Sequence, residues 1–334
     1  KGCEAPYNHD AVWIFIKYKT NNSWHHVYLP DMPSSCKIGI NNGVEPQIRV
    51  GKCWNMKQKK TGGLFLFRKN NGKGNIDWQN VEIQWHYPEH LNIDMKTTEI
   101  QVFGIEMVYV PEGEFYVGDG ANPPQIGSFF EAKTKCNPYF ITSEKAFALG
   151  DVKNSLMSNK IEDMYTEDDF DDNTTRILPQ KFPKGYNGYF CMKYEVSQRE
   201  FVGFLNTLTA RQQKKHIEAQ HFGEYMHLKA GIKEPQGRNG IKCIKGIIDN
   251  NPALYACDLD NDNRYNEPED GLYIACNWIS WLNAAAFADW AGLRPMTELE
   301  YEKACRGNKK PVPFEYARET TEIGPCGKLK YAAE

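Results

Sequence analysis

The first hundred residues place apolar positions in short runs that are typical of β-strands. Residues 11–19 are rich in β-branched and aromatic side chains, which predicts a central strand buried on both faces. Residues 81–85 alternate strictly between apolar and polar positions, with Val81 on the predicted buried face. Further candidate strands lie at 24–29, 47–50 and 63–68. Turn clusters rich in Asn, Gly and Pro separate these runs, so we predict an all-β sandwich over residues 1–103.

Helical signals join the strands from residue 104 onward. Residues 107–118 have the pattern of a β-hairpin, with a Pro-Glu-Gly turn between two apolar runs. Three predicted helices begin after the capping residues Ser197, Ser280 and Thr297. Strands and helices follow one another without βαβ alternation, which predicts an α+β domain over residues 104–334.

Composition and charge exclude two classes of protein. The 334 residues include 40 basic and 43 acidic ones, and a net charge of −3 argues against nucleic-acid binding, which needs a basic surface. The longest apolar runs are much shorter than the roughly 20 residues that a membrane-spanning helix requires. We therefore expect neither a nucleic-acid partner nor a membrane span.

The ten cysteines bear on the cellular compartment. They are dispersed along the chain and form no CxxC pair, so the usual zinc and redox spacings do not occur. An even, dispersed set favours disulfides and an oxidising compartment, and several buried free thiols are the alternative. Cys257 and Cys276 bracket an acidic loop at 258–269, and we predict a disulfide between them.

The loop at 258–269 has the most specific ligand-binding motif in the sequence. Its oxygen-bearing residues follow the D-x-D-x-D…E spacing of a calcium loop. The candidate ligands are Asp258, Asp260, Asp262, Arg264 through its carbonyl, Asn266 and Glu269. Asn263 occupies the position where such loops place Gly, and Asn tolerates the left-handed conformation. Calcium takes six to eight oxygen ligands, which alternate residues of a tight loop can supply. The alternative is a solvated acidic loop that binds no ion.

Two further polar clusters carry weaker signals. Residues 161–172 contain seven acidic residues in a spacing that follows no ligand template, so a solvated loop is favoured over a second metal site. The pair His25 and His26, and the pair His86 and His90, could each contribute metal ligands. A pair of histidines in a strand or turn without a third acidic or sulfur ligand is more often a surface feature, and we favour a surface location for both.

Three successive blocks resemble the formylglycine-generating-enzyme, or sulfatase-modifying factor, family. They span residues 107–118, 189–205 and 279–307 and come in the order of the family. The resemblance implies an irregular α+β fold of the C-type-lectin-like kind. With a preceding β domain, the chain resembles secreted members from Bacteroidetes-like bacteria. The segment Arg294-Pro-Met-Thr departs from the more common Arg-Leu-Pro-Thr of the family.

The resemblance implies a fold more securely than an activity. Oxidases of the family use a pair of copper-binding cysteines in a block that follows the third one above, where this chain has Cys326 in an unmatched context. We therefore assign no catalytic residue, and we expect the domain to be incomplete at its C-terminus. The hypothesis is a calcium-stabilised structural or binding protein at the cell surface or outside the cell. It would have a protein partner or self-assemble, and bind a carbohydrate or peptide ligand. The alternative is an oxidase or related metal enzyme whose catalytic part is absent from this chain.

Overall fold

The structure is a computed structural model that describes residues 8–31, 36–52, 60–85, 93–94, 96–122, 128–158 and 176–315. Its first strands are β1 (His9–Thr20), β2 (Ser23–His26), β3 (Cys36–Ile40), β4 (Pro46–Lys52), β5 (Thr61–Arg68), β6 (Trp78–Ile83) and β7 (Ile100–Val110). Further strands are β8 (Phe115–Val117), β9 (Phe129–Glu131), β10 (Tyr139–Ile141), β11 (Phe147–Leu149), β12 (Leu156–Ser158) and β13 (Arg176–Leu178). The last are β14 (Tyr189–Met192), β15 (Ile241–Lys245) and β16 (Leu254–Cys257). The helices are α1 (Gln198–Asn206), α2 (Ala210–His216), α3 (Trp281–Trp290) and α4 (Glu298–Arg306), with a 3-10 helix at Pro268–Asp270.

The largest sheet crosses the predicted domain boundary. Its order is β14-β7-β1-β5-β4, with β2 paired to β1, and every pairing in it is antiparallel. Strand β7 pairs with β1 without interruption, from Ile100 opposite Tyr18 to Tyr109 opposite His9. The predicted boundary between residues 103 and 104 lies inside β7, so the segments on either side share one sheet. The division into 1–103 and 104–334 stays a prediction.

Strand β1 separates two hydrophobic cores, as expected for a strand with both faces covered. Trp13 and Phe15 pack with the helices on one face, where the Trp13 indole N–H donates to the carbonyl of Ala291 at 2.8 Å. Ile14 and Tyr18 contribute to the core on the other face, towards β3 and β6. A third core joins the small strands β8, β9, β11 and β12 to α4. The fold is β-rich with few helices, as the pattern of short apolar runs predicts.

Two details of the strand prediction are wrong. The segment 107–118 does not form a hairpin, because β8 pairs with β10 and not with β7. Both edges of β7 are already occupied by β1 and β14, so no hydrogen-bonding edge remains for β8. Val81 is exposed, whereas Ile83 and Trp85 pack against a core. The alternation is interrupted because the pairing of β6 with β3 is irregular here and Asn80 has φ 50°.

The predicted helix starts are confirmed. Ser197 and Thr297 each accept a hydrogen bond from the backbone N–H of a glutamate three residues later, and that glutamate bonds back, which completes a capping box. Ser280 caps α3 through the N–H of Asn283. These caps fix where the helices begin. Helices α1 and α3 cover one face of the large sheet, and α4 packs against the small strands.

Candidate functional site: the acidic loop after strand β16

The predicted calcium loop begins where a two-stranded ribbon ends. Strands β15 and β16 pair antiparallel, and the loop leaves β16 directly after Cys257. Its N-terminal end is held by the Asp258 N–H, which donates to the carbonyl of Gly240 at 2.8 Å. A Cβ at Gly240 would lie 2.8 Å from the Leu259 backbone, so only glycine permits this approach. Asn266 closes the loop, because its N–H donates to the Cys257 carbonyl and its Oδ1 accepts from the Cys257 N–H.

Side-chain to backbone hydrogen bonds shape the interior of the loop. Asp260 Oδ1 accepts from the N–H of Asp262 at 3.2 Å, and Asp262 Oδ1 accepts from the N–H of Arg264 at 2.7 Å. Such turns are typical of aspartates placed at alternate positions. Asn263 has φ 66°, the left-handed conformation that the sequence predicts for this position. The backbone therefore curls so that alternate side chains point to one side.

Three carboxylates converge in this loop. One oxygen each of Asp258, Asp260 and Asp262 lies within 4.8 Å of the other two. Asp258 is fully buried, whereas Asp260 and Asp262 are exposed. Like charges at this separation repel one another, and a cation placed between them would relieve the repulsion. The cluster can therefore supply three oxygen ligands to a hard cation that approaches from solvent.

The ammonium group of a buried lysine bonds side chains of the loop. Lys242, on β15, places Nζ 2.6 Å from Asp258 Oδ2, and its side chain is 5% exposed. The same ammonium donates to Asn263 Oδ1 at 2.8 Å and to Asn261 Oδ1 at 3.1 Å. The Tyr225 hydroxyl completes this network by donating to Asn261 Oδ1 at 2.8 Å. Asp258 thus neutralises an internal cation with one oxygen, and the loop is pre-shaped by the chain itself.

Sequence reasoning did not identify Lys242. The available signal is a lysine inside the apolar run of β15. Lys242 lies opposite Ala256, and because side chains alternate along a strand, Asp258 lies on the same face of the ribbon. A charged side chain in such a position needs a partner when it is buried. The partner belongs to the loop, and only the pairing of β15 with β16 reveals it.

The other predicted ligands, Arg264, Asn266 and Glu269, do not belong to the three-carboxylate cluster. The Arg264 side chain is exposed, and its Nε lies 3.8 Å from Asp262 Oδ2. The amide oxygen of Asn266 is engaged by the Cys257 N–H, and Glu269 is exposed and outside the three-carboxylate cluster. The neighbouring Asp270 is buried instead.

Asp270 shares the electrostatic field of the cluster. Its Oδ2 accepts from the N–H of Glu267 at 2.7 Å. Burial, together with the charges of Asp260, Asp258 and Asp262, raises the pKa of Asp270 to about 6. Sequence reasoning missed this residue because the template placed the last acidic ligand one position earlier.

The predicted disulfide between Cys257 and Cys276 is wrong in this structure, where both residues are free thiols. The thiol of Cys257 is buried in the apolar core, and Cys276 packs against the same core. The Cys276 sulfur contacts the amide of Asn239 and the carbonyl of Asn277. Burial raises the pKa of each thiol to about 12. These cysteines act as small core residues, which was the alternative for the set.

The histidine predictions divide between the two pairs. His25 is exposed, as predicted, but His26 is half-buried and both of its ring nitrogens have partners, Lys17 Nζ and the carbonyl of Gly62. The surface interpretation is therefore wrong for His26. His86 and His90 lie outside the described residues, as does the acidic run at 161–172.

A comparison with family models identifies the family of the region that contains this loop. The model described as "Sulfatase-modifying factor enzyme 1-like domain" matches residues 159–328, half of the chain. The chain belongs to the sulfatase-modifying factor family. The match contains the acidic loop and the second and third sequence blocks, and it begins after the first block at 107–118. No curated protein and no solved structure matches the chain. Among the described residues, no helix is long and apolar enough to cross a membrane.

Proposed function

We propose that this member of the sulfatase-modifying factor family is a calcium-stabilised structural or binding protein that works without catalysis. The observation that carries the proposal is the convergence of three carboxylates in the loop 258–269. The loop is anchored at both ends to the β15–β16 ribbon, so the ligands are held together before an ion arrives. An ion there would link the loop to the core through Asp258.

Calcium fits the donor set better than a transition metal does. The cluster offers only oxygen ligands, which suit hard cations, and Asp260 and Asp262 are open to solvent for coordinated water. Three carboxylates, one of them shared with Lys242, supply less charge than a tight calcium site provides. Weak sites are filled where free calcium is high, as it is outside cells. This supports a location at the cell surface or outside the cell.

The cysteine environments support a non-catalytic role. An activated thiol needs a lowered pKa, which neighbouring cations or a helix N-terminus provide. In the described part of the chain, burial instead raises the pKa of Cys191, Cys243, Cys257 and Cys276. The alternative is an oxidase or related metal enzyme of the family. Copper-dependent conversion of a cysteine-containing peptide by the protein would favour that alternative.

We further propose that the N-terminal strands form a β-sandwich-like layer and that the family domain is C-type-lectin-like. Strands β3 and β6 lie across one face of the large sheet, which supports the first of these descriptions.

On helix α3, the exposed fraction is 72% for Trp281 and 60% for Leu282, and large exposed apolar side chains are typical of protein contacts. Tyr194 and Tyr273 line an open groove beside the loop, which supports a carbohydrate or peptide ligand. The exposed apolar surface supports a protein partner or self-assembly.

Calorimetric titration of the chelator-treated protein with calcium chloride tests the proposal. We expect saturable uptake, and a thermal stabilisation equivalent to about 2.7 kcal/mol when calcium is a hundredfold above its Kd. Asp260→Asn should weaken calcium binding, because it removes one charge but keeps the oxygen that accepts from Asp262. Asp249→Asn, an exposed aspartate outside the loop, is the matched control and should bind as the parent does. The proposal would be wrong if the protein took up no calcium at concentrations several times higher than about 1 mM.

A further inference from the structure

A cavity of about 420 Å³ lies between the large sheet and helix α3, and none of its lining residues belongs to the acidic loop. Strands β1, β4, β5, β7 and β14 contribute side chains to it, together with α3 and residues 292–296. It opens to solvent beside Lys52, Pro295 and Met296, which are exposed. Its volume falls within the range of small-molecule pockets. We name it the apolar cavity.

Small residues create this space beside a rigid aromatic ring. Ala284 and Ala288 lie one turn apart on α3, and both line the cavity. Gly51 lies on the sheet side, where a Cβ would be 2.6 Å from Trp13 Cη2, so a larger residue would collide with the ring. The Trp13 indole is also bonded to the Ala291 carbonyl, and the ring therefore forms a fixed wall.

Aromatic rings and sulfur-bearing side chains make up much of the lining. The rings of Phe65 and Phe190 stack with their centroids 3.9 Å apart. Burial raises the pKa of the Cys191 thiol, so this part of the wall is uncharged at neutral pH. Several lining residues pack against the main core and yet stay partly exposed: Phe190, Met192, Val196, Ile279 and Leu293. An apolar ligand would remove this remaining apolar surface from water.

The charged side chains of the lining are paired within the chain. Arg294 donates to both carboxylate oxygens of Glu300, at 2.7 and 2.6 Å, and the Glu300 side chain is 3% exposed. The Tyr189 hydroxyl donates to the Glu300 carbonyl. At the opening, Lys52 forms an ion pair with Asp31. A charged ligand would have to lose its water without gaining a free counter-ion, which is costly in an apolar cavity.

We propose that the apolar cavity binds a neutral aromatic molecule of two or three rings. A cavity of about 150 Å³ accommodates one benzene molecule, and this cavity is considerably larger. Flat rings would pack against Trp13 and Phe190 in offset or edge-to-face arrangements. The thioethers of Met107, Met192 and Met296 make favourable contacts with ring edges and adapt to the shape of a ligand.

Fluorescence titration with N-phenyl-1-naphthylamine tests this site. The matched probe is 8-anilinonaphthalene-1-sulfonate, which has the same rings and one negative charge. We expect saturable binding of the neutral probe with a Kd below roughly 0.1 mM, and at least about tenfold weaker binding of the sulfonate. No saturable binding of the neutral probe, or equal affinity for the two probes, would overturn the proposal.

A competition experiment tests the preference for aromatic rings. Neutral 1-naphthol should displace N-phenyl-1-naphthylamine at concentrations at least about threefold lower than its saturated analogue decahydro-1-naphthol, because only the flat ring can stack on the aromatic walls. Equal displacement by the two alcohols would show that the cavity selects apolar character alone, which contradicts an aromatic ligand.

Variants locate the binding to this cavity. Ala288→Leu fills part of the space and should lower the affinity for N-phenyl-1-naphthylamine by at least about tenfold. Ala285→Leu is the matched control, because Ala285 is a half-buried alanine of the same helix that does not line the cavity, and it should bind as the parent does. Retained affinity in a folded Ala288→Leu protein would show that the probe binds elsewhere.

A second variant keeps the proposal testable if Ala288→Leu does not fold. Met296→Asp introduces a charge at the exposed opening and should also weaken binding of the neutral probe, whereas Val312→Asp, at an exposed apolar residue outside the cavity, should not. Unchanged affinity in Met296→Asp would count against the proposal. Calcium titration of all four variants should match that of the parent, so this test is independent of the acidic loop.

Discussion

Two buried lysines occupy comparable positions on neighbouring sheets, and their surroundings differ. Lys242 lies 2.6 Å from a fully buried carboxylate and bonds two asparagine amides of the same loop. Lys17 bonds a neutral imidazole and lies over aromatic rings at the wall of a cavity. The first lysine organises a loop by electrostatics within the chain. The second lies at the wall of a cavity whose lining also includes the carboxylate of Asp289.

The largest effect is expected at the first lysine. Lys242→Met leaves Asp258 buried without its cation, and removal of one partner from a buried ion pair costs about 3–5 kcal/mol of unfolding free energy. Urea denaturation without calcium measures this loss. Lys245→Met, at the exposed end of the same strand, is the control and should change stability by less than about 0.5 kcal/mol. Similar stability of the two variants would show that Lys242 does not organise the loop.

A pH titration of stability examines the second lysine through its partner. The pKa of His26 falls from 6.5 to about 4 on folding, so the unfolded chain binds the proton more readily between these values. The unfolding free energy should therefore decrease as the pH falls from about 6.5 to about 4, by roughly 2 kcal/mol after allowance for partial exposure.

Two variants separate this contribution from other titrating groups. His26→Gln should flatten the pH dependence in that window, whereas His25→Gln, at the exposed neighbouring position, should retain it. Chemical denaturation at a series of pH values provides the measurement. A pH profile that His26→Gln leaves unchanged would contradict the buried, neutral state of this histidine.

The smallest effect is expected for Lys17→Met. The substitution removes the hydrogen bond from Lys17 Nζ to His26 Nδ1, and the loss of a hydrogen bond to a neutral group costs about 1 kcal/mol. Lys19→Met breaks an exposed ion pair with Glu99 and should cost less than about 1 kcal/mol, which provides a baseline in the same strand. A loss for Lys17→Met as large as that for Lys242→Met would erase the distinction between the two sites.

The local elements were predictable because their signals are local. The capping residues Ser197, Ser280 and Thr297 determine where three helices begin, since a side chain only has to reach a backbone N–H three residues away. The alternate aspartates of the loop likewise produce turns from bonds that span two residues. The three sequence blocks were sufficient to indicate the family.

The sequence by itself determined the strand-forming segments, the helix starts, the acidic loop and the family, because each depends on neighbouring residues. Only the tertiary structure decided the partners that come from distant segments. These include β1 beside β7, Lys242 beneath the loop, and Lys17 opposite Trp290. It also decided that Cys257 and Cys276 are thiols in a core and that β8 leaves β7 for β10. Long-range pairing depends on which edges and cavities remain once the other elements have packed, and a linear pattern does not contain that information.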